Sequence, residues 1–202
     1  AAQFRAAGHE IIGHAGEADL VIVNTCSVTA AAASDSRQKA RQAQHAGAKE
    51  IILTGCWATL EPEGAKLING VTGVITNTEK DSLVSKILGQ EIPIYDLDPI
   101  ARESLPGIHQ RTRAFIKVQD GCDNFCTFCV TRLARGKSVS LRKEQILRDI
   151  HAAENGGVQE VVLSGVQLGS WASDHNEEET ITHLLRFLLE HTTVERIRLS
   201  ST

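Results

Sequence analysis

Short apolar runs rich in β-branched residues alternate with helical segments along most of this chain, and that alternation predicts a parallel α/β fold. Residues 20–24 and 50–54 are both bounded by turn signals, as buried parallel strands are. The Ala-rich segment 30–46 between them predicts a helix. A weaker strand is predicted at 73–75, followed by a helix over 79–88 with Thr78 as its N-cap.

A second run of the same kind begins at residues 114–118 and leads directly into a cysteine-rich loop. Ser140 is predicted to cap a helix that ends near Asn155, and residues 160–164 form the next strand. A helix of about eleven residues from Ile181 and a strand over 194–199 follow. Three strands with two intervening helices predict the first part of a larger (β/α) barrel, whose ligands gather beyond the carboxyl ends of its strands.

The segment between the two runs has no periodicity and contains three of the four prolines, Pro93, Pro99 and Pro106. It predicts a linker over 92–110, between a domain at 1–91 and a second domain at 111–202. Because the chain has no methionine and stops directly after a predicted strand, we expect it to be a fragment of a longer protein. We also expect these 202 residues to be inactive by themselves.

Three cysteines lie close together in the loop after the strand at 114–118, in the pattern C-x3-C-x2-C: Cys122, Cys126 and Cys129. Three thiolates can hold three irons of a cubane iron–sulfur cluster, which leaves the fourth iron without a protein ligand. An open metal position is where a substrate or cofactor coordinates. The spacing therefore favours a catalytic cluster over one that only stores electrons.

Other interpretations of these cysteines compete with the cluster. A zinc site needs a fourth Cys or His nearby, yet His109 lies thirteen residues before Cys122 and His151 lies far beyond Cys129. A disulfide framework fits poorly with an odd total of five cysteines and no signal peptide. An electron-transfer protein would need four ligands, and a zinc-stabilised nucleic-acid-binding module would be colourless.

The remaining two cysteines occupy equivalent positions in the first run. Cys26 follows the strand at 20–24, and Cys56 follows the strand at 50–54. Neighbouring parallel strands bring their carboxyl ends to one edge of a sheet, so the two sulfurs are expected on the same side. Two thiolates alone make a poor cluster site, and two ordinary half-buried cysteines are the alternative.

Charge is distributed unevenly along the chain. The net charge is −4, but residues 102–149 carry a basic excess around the three-cysteine loop that includes Arg135 and Lys137. Such a patch can contact phosphates, although a solvated basic face explains it equally well. With no apolar run long enough to span a membrane and no signal peptide, we expect a soluble cytoplasmic protein.

The motifs ADLVIVNTCSVT (18–29), TGCWA (54–58), GCDNFCTFC (121–129) and ARGKS (134–138) occur here in the order that is typical of one family. With them the chain resembles the radical S-adenosylmethionine (SAM) methylthiotransferases over essentially its whole length. Segments 115–121 and 163–171 are most similar to the subgroup that modifies threonylcarbamoyladenosine in tRNA.

The resemblance implies a flavodoxin-like domain without its first strand, followed by a truncated radical-SAM barrel. It also implies two 4Fe–4S clusters, one at Cys122, Cys126 and Cys129 with SAM on its open iron. The other would be held by Cys26, Cys56 and a cysteine ahead of Ala1. By the same resemblance Phe128 lies near the SAM adenine and Ser164 and Gly165 near its methionine part, where a core aromatic and a simple strand-end turn are the alternatives.

The activity implied by the resemblance is the addition of a methylthio group to threonylcarbamoyladenosine beside the tRNA anticodon. Isopentenyladenosine in tRNA and an aspartate of a ribosomal protein are the family's other targets. One SAM yields the 5′-deoxyadenosyl radical that removes a hydrogen atom from the adenine, and a second SAM supplies the methyl group. The implied partners are the tRNA anticodon loop, contacted through Arg135 and Lys137, and an electron donor such as flavodoxin or ferredoxin.

Overall fold

The computed structural model describes residues 2–90, 113–175 and 178–200, which divide into two compact units. The first unit contains residues 2–90 together with Phe125–Gly136. The second contains residues 113–124 and the described residues from Lys137 onward. The predicted linker 92–110 lies outside the described residues, so the boundaries at 91 and 111 stay a prediction.

A three-stranded parallel sheet forms the centre of the first unit, in the order β1 (Leu20–Thr25), β2 (Glu50–Gly55) and β3 (Val71–Ile75). The register of β1 on β2 runs from Leu20 opposite Glu50 to Thr25 opposite Gly55. The predicted strands are therefore confirmed. The third, predicted at 73–75, begins two residues earlier, at Val71.

Helices pack on this sheet: α1 (Ala2–Ala6), α2 (Ala30–His45), α3 (Cys56–Leu60), α4 (Pro62–Lys66) and α5 (Leu83–Leu88). A further helix, α6 (Thr131–Arg135), packs against α3. The predicted helix at 30–46 is confirmed as α2. It begins after Thr29, whose hydroxyl accepts a hydrogen bond from the backbone N–H of Ala32 at 3.1 Å and satisfies a donor of the first turn.

The predicted cap at Thr78 is wrong. A 3₁₀ helix, Asn77–Ser82, precedes α5, and its capping box joins Thr76 to Glu79. The Glu79 carboxylate accepts hydrogen bonds from the backbone N–H of Thr76 at 3.3 Å and from its hydroxyl at 2.9 Å. The S/T-x-x-E spacing that defines this box is present at Thr76 and Glu79.

Alternating side chains of the sheet pack on its two faces. Ile51 and Leu53 of β2 are fully buried in one cluster with Ala40 and Ala43 of α2. Ile52, between them in sequence, belongs to a second cluster with Phe4, Ile75, Leu83 and Val84. Helices on both faces of a parallel sheet are the expected flavodoxin-like arrangement, and they leave the carboxyl ends of the strands free to carry side chains.

The second unit is built on a parallel sheet in the order β4 (Arg113–Lys117), β7 (Glu160–Ser164) and β8 (Arg196–Leu199). A short antiparallel pair, β5 (Gln119–Asp120) with β6 (Val139–Ser140), lies beyond β4. Helices α7 (Lys143–Asn155) and α8 (Ile181–His191) connect the parallel strands. The predicted sequence of three parallel strands with two intervening helices is confirmed.

Ser140 does not cap α7 as predicted. It is the last residue of β6, and its hydroxyl accepts a hydrogen bond from the backbone N–H of Ala172 at 3.0 Å. The helix begins later, at Lys143, after Arg142 in extended conformation. Ser140 precedes an apolar helical pattern, but its backbone pairs with Gln119 of β5 and does not begin the helix.

The core of the second unit lies between its sheet and both helices. Ile116 and Leu163 of the sheet are buried with Ile146 and Ile150 of α7 and with Leu184 and Leu188 of α8. This packing fixes the strand ends from which the cysteine loop and the Ser164–Gly165 turn emerge. No helix within the described parts of the chain is both long and apolar enough to cross a membrane.

Candidate metal and cofactor sites

Cys26 and Cys56 directly follow a pair of residues that are neighbours in the first sheet, Thr25 of β1 and Gly55 of β2. The predicted position at one sheet edge is therefore confirmed for both cysteines. Gly55 has φ +97°, and a Cβ there would overlap the carbonyl oxygen of Thr25. The chain can turn from β2 into α3 at this position because glycine tolerates a positive φ and close backbone approach.

The hydroxyl of Thr25 holds this turn from the neighbouring strand. It donates to the carbonyl oxygen of Thr54 at 2.7 Å and accepts from the backbone N–H of Ala58 at 2.9 Å. On the other side, the backbone N–H of Cys26 donates to the hydroxyl of Ser36 at 2.9 Å. These bonds fix the backbone on which both cysteines stand; Cys26 is half-buried and Cys56 is buried.

Three buried side-chain polar atoms of the described residues have no hydrogen-bond partner, and all three lie within two residues of these cysteines in sequence. They are the hydroxyls of Ser27 and Thr54 and the indole nitrogen of Trp57. Buried polar groups are rarely left unpaired, and such a group calls for a missing partner. Two soft thiol donors with unpaired polar neighbours fit a bound sulfur-rich metal group at this edge.

Asn77 contacts Cys56 from the start of the 3₁₀ helix. Its side-chain nitrogen lies 3.5 Å from the sulfur of Cys56 and also donates to the carbonyl oxygen of Ala134 in α6 at 2.8 Å. Sequence reasoning missed this residue because a lone asparagine after a strand indicates only a turn.

The three cysteines of the C-x3-C-x2-C motif are free thiols. Cys122 is half-buried in the second unit, whereas Cys126 and Cys129 are exposed in the first. The backbone N–H of Cys129 donates to the carbonyl oxygen of Cys126 at 3.2 Å, so these two share a tight turn. Hydrogen bonds from the hydroxyl and backbone of Thr131 lower the pKa of the Cys129 thiol below its usual value, and the thiolate is the form that binds metal.

Within residues 2–90, 113–175 and 178–200, no three His, Cys, Asp or Glu side chains converge closely enough to hold a metal ion. The ligand sets at both sites therefore stay predictions from sequence. The donor chemistry nevertheless fits an iron–sulfur cluster, since all the candidate ligands are cysteine thiols.

Cys122 lies in a network of amide side chains. Its thiol donates to the side-chain oxygen of Gln167 at 3.2 Å, and the side chain of Asn124 donates to the same oxygen. Gln119, which is 1% exposed, accepts from the backbone N–H groups of Val166 and Gln167 at 2.8 and 3.0 Å. Neither glutamine has a sequence signal that distinguishes it from other polar residues.

The amide nitrogen of Gln119 points back toward the start of the cysteine loop. It donates to the carbonyl oxygen of Gly121 at 2.9 Å and to the hydroxyl of Ser138 at 2.8 Å. A buried amide with all these partners connects the cysteine loop, the end of β7 and the chain before β6. Gln119 thus sets the position of Cys122 relative to the Ser164–Gly165 turn.

Ser164 and Gly165 lie at the carboxyl end of β7, where a ligand of a barrel-type sheet binds. The Ser164 hydroxyl donates to the carbonyl oxygen of Ile116 at 3.2 Å. A Cβ at Gly165 would lie 2.5 Å from the buried side chain of Leu168 and 3.0 Å from the side-chain oxygen of Gln119, so the turn needs glycine for space. The interpretation as a strand-end turn accounts for both residues, and their contact with SAM stays a prediction.

Phe128 is 92% exposed, so it is no core aromatic, and Phe125 nearby is 83% exposed. The guanidinium of Arg132 lies over the Phe125 ring, 3.8 Å from its centroid. Arg135 and Lys137 are exposed, as a contact with RNA phosphates requires. Exposed aromatic rings and cations in one short segment are chemically suited to a nucleoside or its phosphates.

The two parts of the chain match two family descriptions. Residues 1–77 match "Uncharacterized protein family UPF0004", and residues 116–198 match the "Radical SAM superfamily". The first match contains Cys26 and Cys56, and the second contains the three-cysteine loop together with Ser164 and Gly165.

Curated relatives match across nearly the whole chain. A threonylcarbamoyladenosine tRNA methylthiotransferase MtaB of Chlamydia pneumoniae is 33% identical over 95% of this chain and 44% of its own length. The enzyme of that name from Aquifex aeolicus is 34% identical over 96% of this chain and 49% of its own length. A tRNA-2-methylthio-N(6)-dimethylallyladenosine synthase of Rickettsia bellii is 30% identical over 95% of this chain and 47% of its own length. The chain thus spans about half the length of these relatives.

Proposed function

Since this chain belongs to the radical-SAM methylthiotransferase family, we propose that the protein attaches a methylthio group to threonylcarbamoyladenosine beside the tRNA anticodon. The observation that carries the proposal is the C-x3-C-x2-C set of free thiols after β4, inside the region that matches the radical SAM superfamily. The relatives named for threonylcarbamoyladenosine support the choice of nucleoside.

In this proposal Cys122, Cys126 and Cys129 hold one 4Fe–4S cluster, and Cys26 and Cys56 with a further thiolate hold a second. When bound, the first cluster supplies the electron that cleaves SAM, and the second provides the sulfur for transfer. The electron comes from a protein such as flavodoxin or ferredoxin in the cytoplasm.

The chain's own residues prepare these sites. Gln119 and Gln167 hold Cys122 beside the end of β7, and in this proposal Ser164 and Gly165 at that strand end contact the methionine part of SAM. Phe128 offers an exposed ring face to the adenine. Once a ligand covers these groups, the buried amide network keeps water away from the reacting carbon.

Arg135 and Lys137 contact backbone phosphates of the anticodon stem-loop in this proposal. An adenosine in such a loop is already partly unstacked, which lowers the cost of presenting its edge to the protein. Methylthiolation of isopentenyladenosine is the second candidate, because one relative is named for that dimethylallyl nucleoside.

The test uses the full gene product that contains this chain, reconstituted anaerobically with iron and sulfide. Iron per protein and reductive SAM cleavage are measured for the wild type and Cys122→Ala, with Ser173→Ala as a surface control. We expect about eight irons per protein and 5′-deoxyadenosine formation that depends on Cys122 but not on Ser173.

The substrate is then identified by mass spectrometry of nucleosides from tRNA incubated with the wild type. A gain of the 2-methylthio form of threonylcarbamoyladenosine supports the proposal. Methylthiolation of the isopentenyl nucleoside would replace the proposed substrate. Iron without SAM cleavage, or no iron, would contradict the proposed chemistry.

A further inference from the structure

We propose that Asn77 is a positioning residue that donates a hydrogen bond to the sulfur of Cys56 and raises the reduction potential of the metal group bound there. The inference rests on the proposed function in one respect, namely that Cys56 is a cluster ligand. It adds a residue outside both cysteine motifs.

The backbone of Asn77 is fixed to the turn that carries Cys56. Its N–H donates to the hydroxyl of Thr59 at 2.8 Å, and that hydroxyl donates to the carbonyl oxygen of Gly55, also at 2.8 Å. Gly55 is the residue directly before Cys56, so Asn77 and Cys56 are held by the same turn of α3. Backbone contacts therefore set the distance between Asn77 and Cys56, whichever conformation the Asn77 side chain adopts.

The orientation of the Asn77 amide follows from its second partner. A backbone carbonyl only accepts hydrogen bonds, so the group facing the Ala134 oxygen at 2.8 Å must be the NH₂ and not the amide oxygen. The same NH₂ lies 3.5 Å from the Cys56 sulfur, within the range of an N–H···S hydrogen bond. With two hydrogens, the nitrogen serves both acceptors, and the flipped amide would lose both.

Burial makes this donor significant. Cys56 is 7% exposed, and Ala134, which carries the other acceptor, is 1% exposed. A buried thiolate gains from any fixed donor, because water does not compete for it. Hydrogen bonds to ligand sulfurs are among the features that set the potential of an iron–sulfur cluster. An N–H donor stabilises the more negative, reduced form and so raises the potential.

The second acceptor gives Asn77 a further role. Ala134 lies in α6, which begins at Thr131, two residues after Cys129. One amide therefore connects the cysteine after β2 with the helix that follows the three-cysteine motif. Within the first unit, α6 cannot shift along α3 without breaking the bond to Asn77.

The experiment measures the potential of the Cys56 cluster alone. Cys122, Cys126 and Cys129 are replaced by alanine in the full gene product, so that the remaining cluster gives the only EPR signal in a dithionite titration. Asn77→Asp keeps the side-chain shape but removes both donors, and Asn77→Ser is a neutral second variant. Asn69→Asp adds the same charge at an exposed position and serves as the matched control.

We expect both Asn77 variants to lower the reduction potential of the cluster. At a fixed solution potential the ratio of oxidised to reduced cluster should rise about tenfold, which corresponds to about 59 mV for one electron. The Asn69→Asp control should stay within twofold of the parent. A ratio within twofold for both Asn77 variants, with the cluster present, overturns the inference and leaves the proposed function intact. The iron content of the triple-alanine parent is also compared with that of the same protein carrying Cys56→Ala. If the two contain the same amount of iron, Cys56 is not a cluster ligand, and the second cluster and this inference fail together.

Discussion

The side-chain oxygen of Gln119 accepts a hydrogen bond from the backbone N–H of Gln167 at 3.0 Å, across 48 positions of sequence. The acceptor belongs to β5, beside the cysteine loop, and the donor belongs to the chain after β7. Because Gln167 in turn contacts Cys122, one buried amide sets where the first cysteine of the motif lies.

Replacement of Gln119 by leucine should destabilise the apoprotein by about 2–4 kcal/mol, because the backbone N–H groups of the half-buried Val166 and Gln167 lose their acceptor. Urea denaturation measures the free energy of unfolding. The control is Gln38→Leu at an exposed site on α2, which should change it by less than about 0.5 kcal/mol. Equal effects of the two substitutions would contradict the role assigned to Gln119.

Gly55→Ala tests the turn that carries Cys56. The positive φ and the overlap of a Cβ with the Thr25 carbonyl should cost more than about 2 kcal/mol of unfolding free energy. Gly73→Ala is the matched control, because a Cβ there meets Ile52 at an ordinary 3.5 Å. Thermal denaturation of the apoproteins compares them, and a Gly55 variant as stable as the Gly73 variant would show that the turn is not constrained as described.

Glu79 should make the free energy of unfolding depend on pH under acidic conditions. A hydrogen bond from Lys86, followed by those from Thr76, lowers the pKa of Glu79 from 4.5 to about 2 in the folded protein. Its contribution is therefore complete above pH 4.5 and is lost as the pH falls toward 2.

The measurement compares the wild-type apoprotein with Glu79→Gln. The wild type should be the more stable of the two at pH 6, and the difference should shrink as the pH approaches 2.5. A difference that is constant from pH 6 to pH 2.5 would rule out the carboxylate as its source.

Glu160 joins all three parallel strands of the second unit. From the start of β7 its carboxylate contacts Arg113 of β4 at 3.0 Å and Arg196 and Arg198 of β8 at 3.4 and 3.3 Å. Its side chain is only 11% exposed, whereas the arginine side chains are 49–67% exposed. Removal of its charge leaves three arginines close together with no shared counter-charge.

Glu160→Gln should lower the unfolding free energy by about 1–2 kcal/mol at low salt. The loss should be smaller in 1 M salt, because screening reduces both the lost attraction and the repulsion among the arginines. Glu195→Gln, at an exposed neighbouring site, is the control. Denaturation curves at both salt concentrations provide the values, and a loss equal in Glu160→Gln and Glu195→Gln would contradict the prediction.

Much of the fold could be predicted from sequence because strand and helix periods are local signals. Residues 20–24 and 50–54 contain enough β-branched side chains to identify buried strands, and the stripe from Ile181 identified α8. Their order along the chain then required parallel sheets. The errors were at caps, where Thr76 and Thr78 stand two residues apart and only the turn geometry decides which one is used.

The candidate sites divide in the same way. The cysteines were identified because thiols at fixed spacing are rare, and the positions of Cys26 and Cys56 follow from strand ends. Asn77, Gln119 and Gln167 could not be identified, because an amide side chain has the same chemistry on a surface as in a buried network. The contacts Asn77–Cys56, Gln167–Cys122 and Gln119–Gln167 span 21 to 48 positions of sequence, which no local pattern encodes.

The pairing of Thr25 with Gly55 has a consequence when the protein is exposed to oxygen. The spacing of the two strands that carry Cys26 and Cys56 is set by backbone hydrogen bonds and by the hydroxyl of Thr25, none of which involves a thiol. Oxygen that destroys a cluster on these cysteines would therefore leave the strands that carry it in register. Repair would then need reduction of the ligand sulfurs and a supply of iron and sulfide, with no strand to refold.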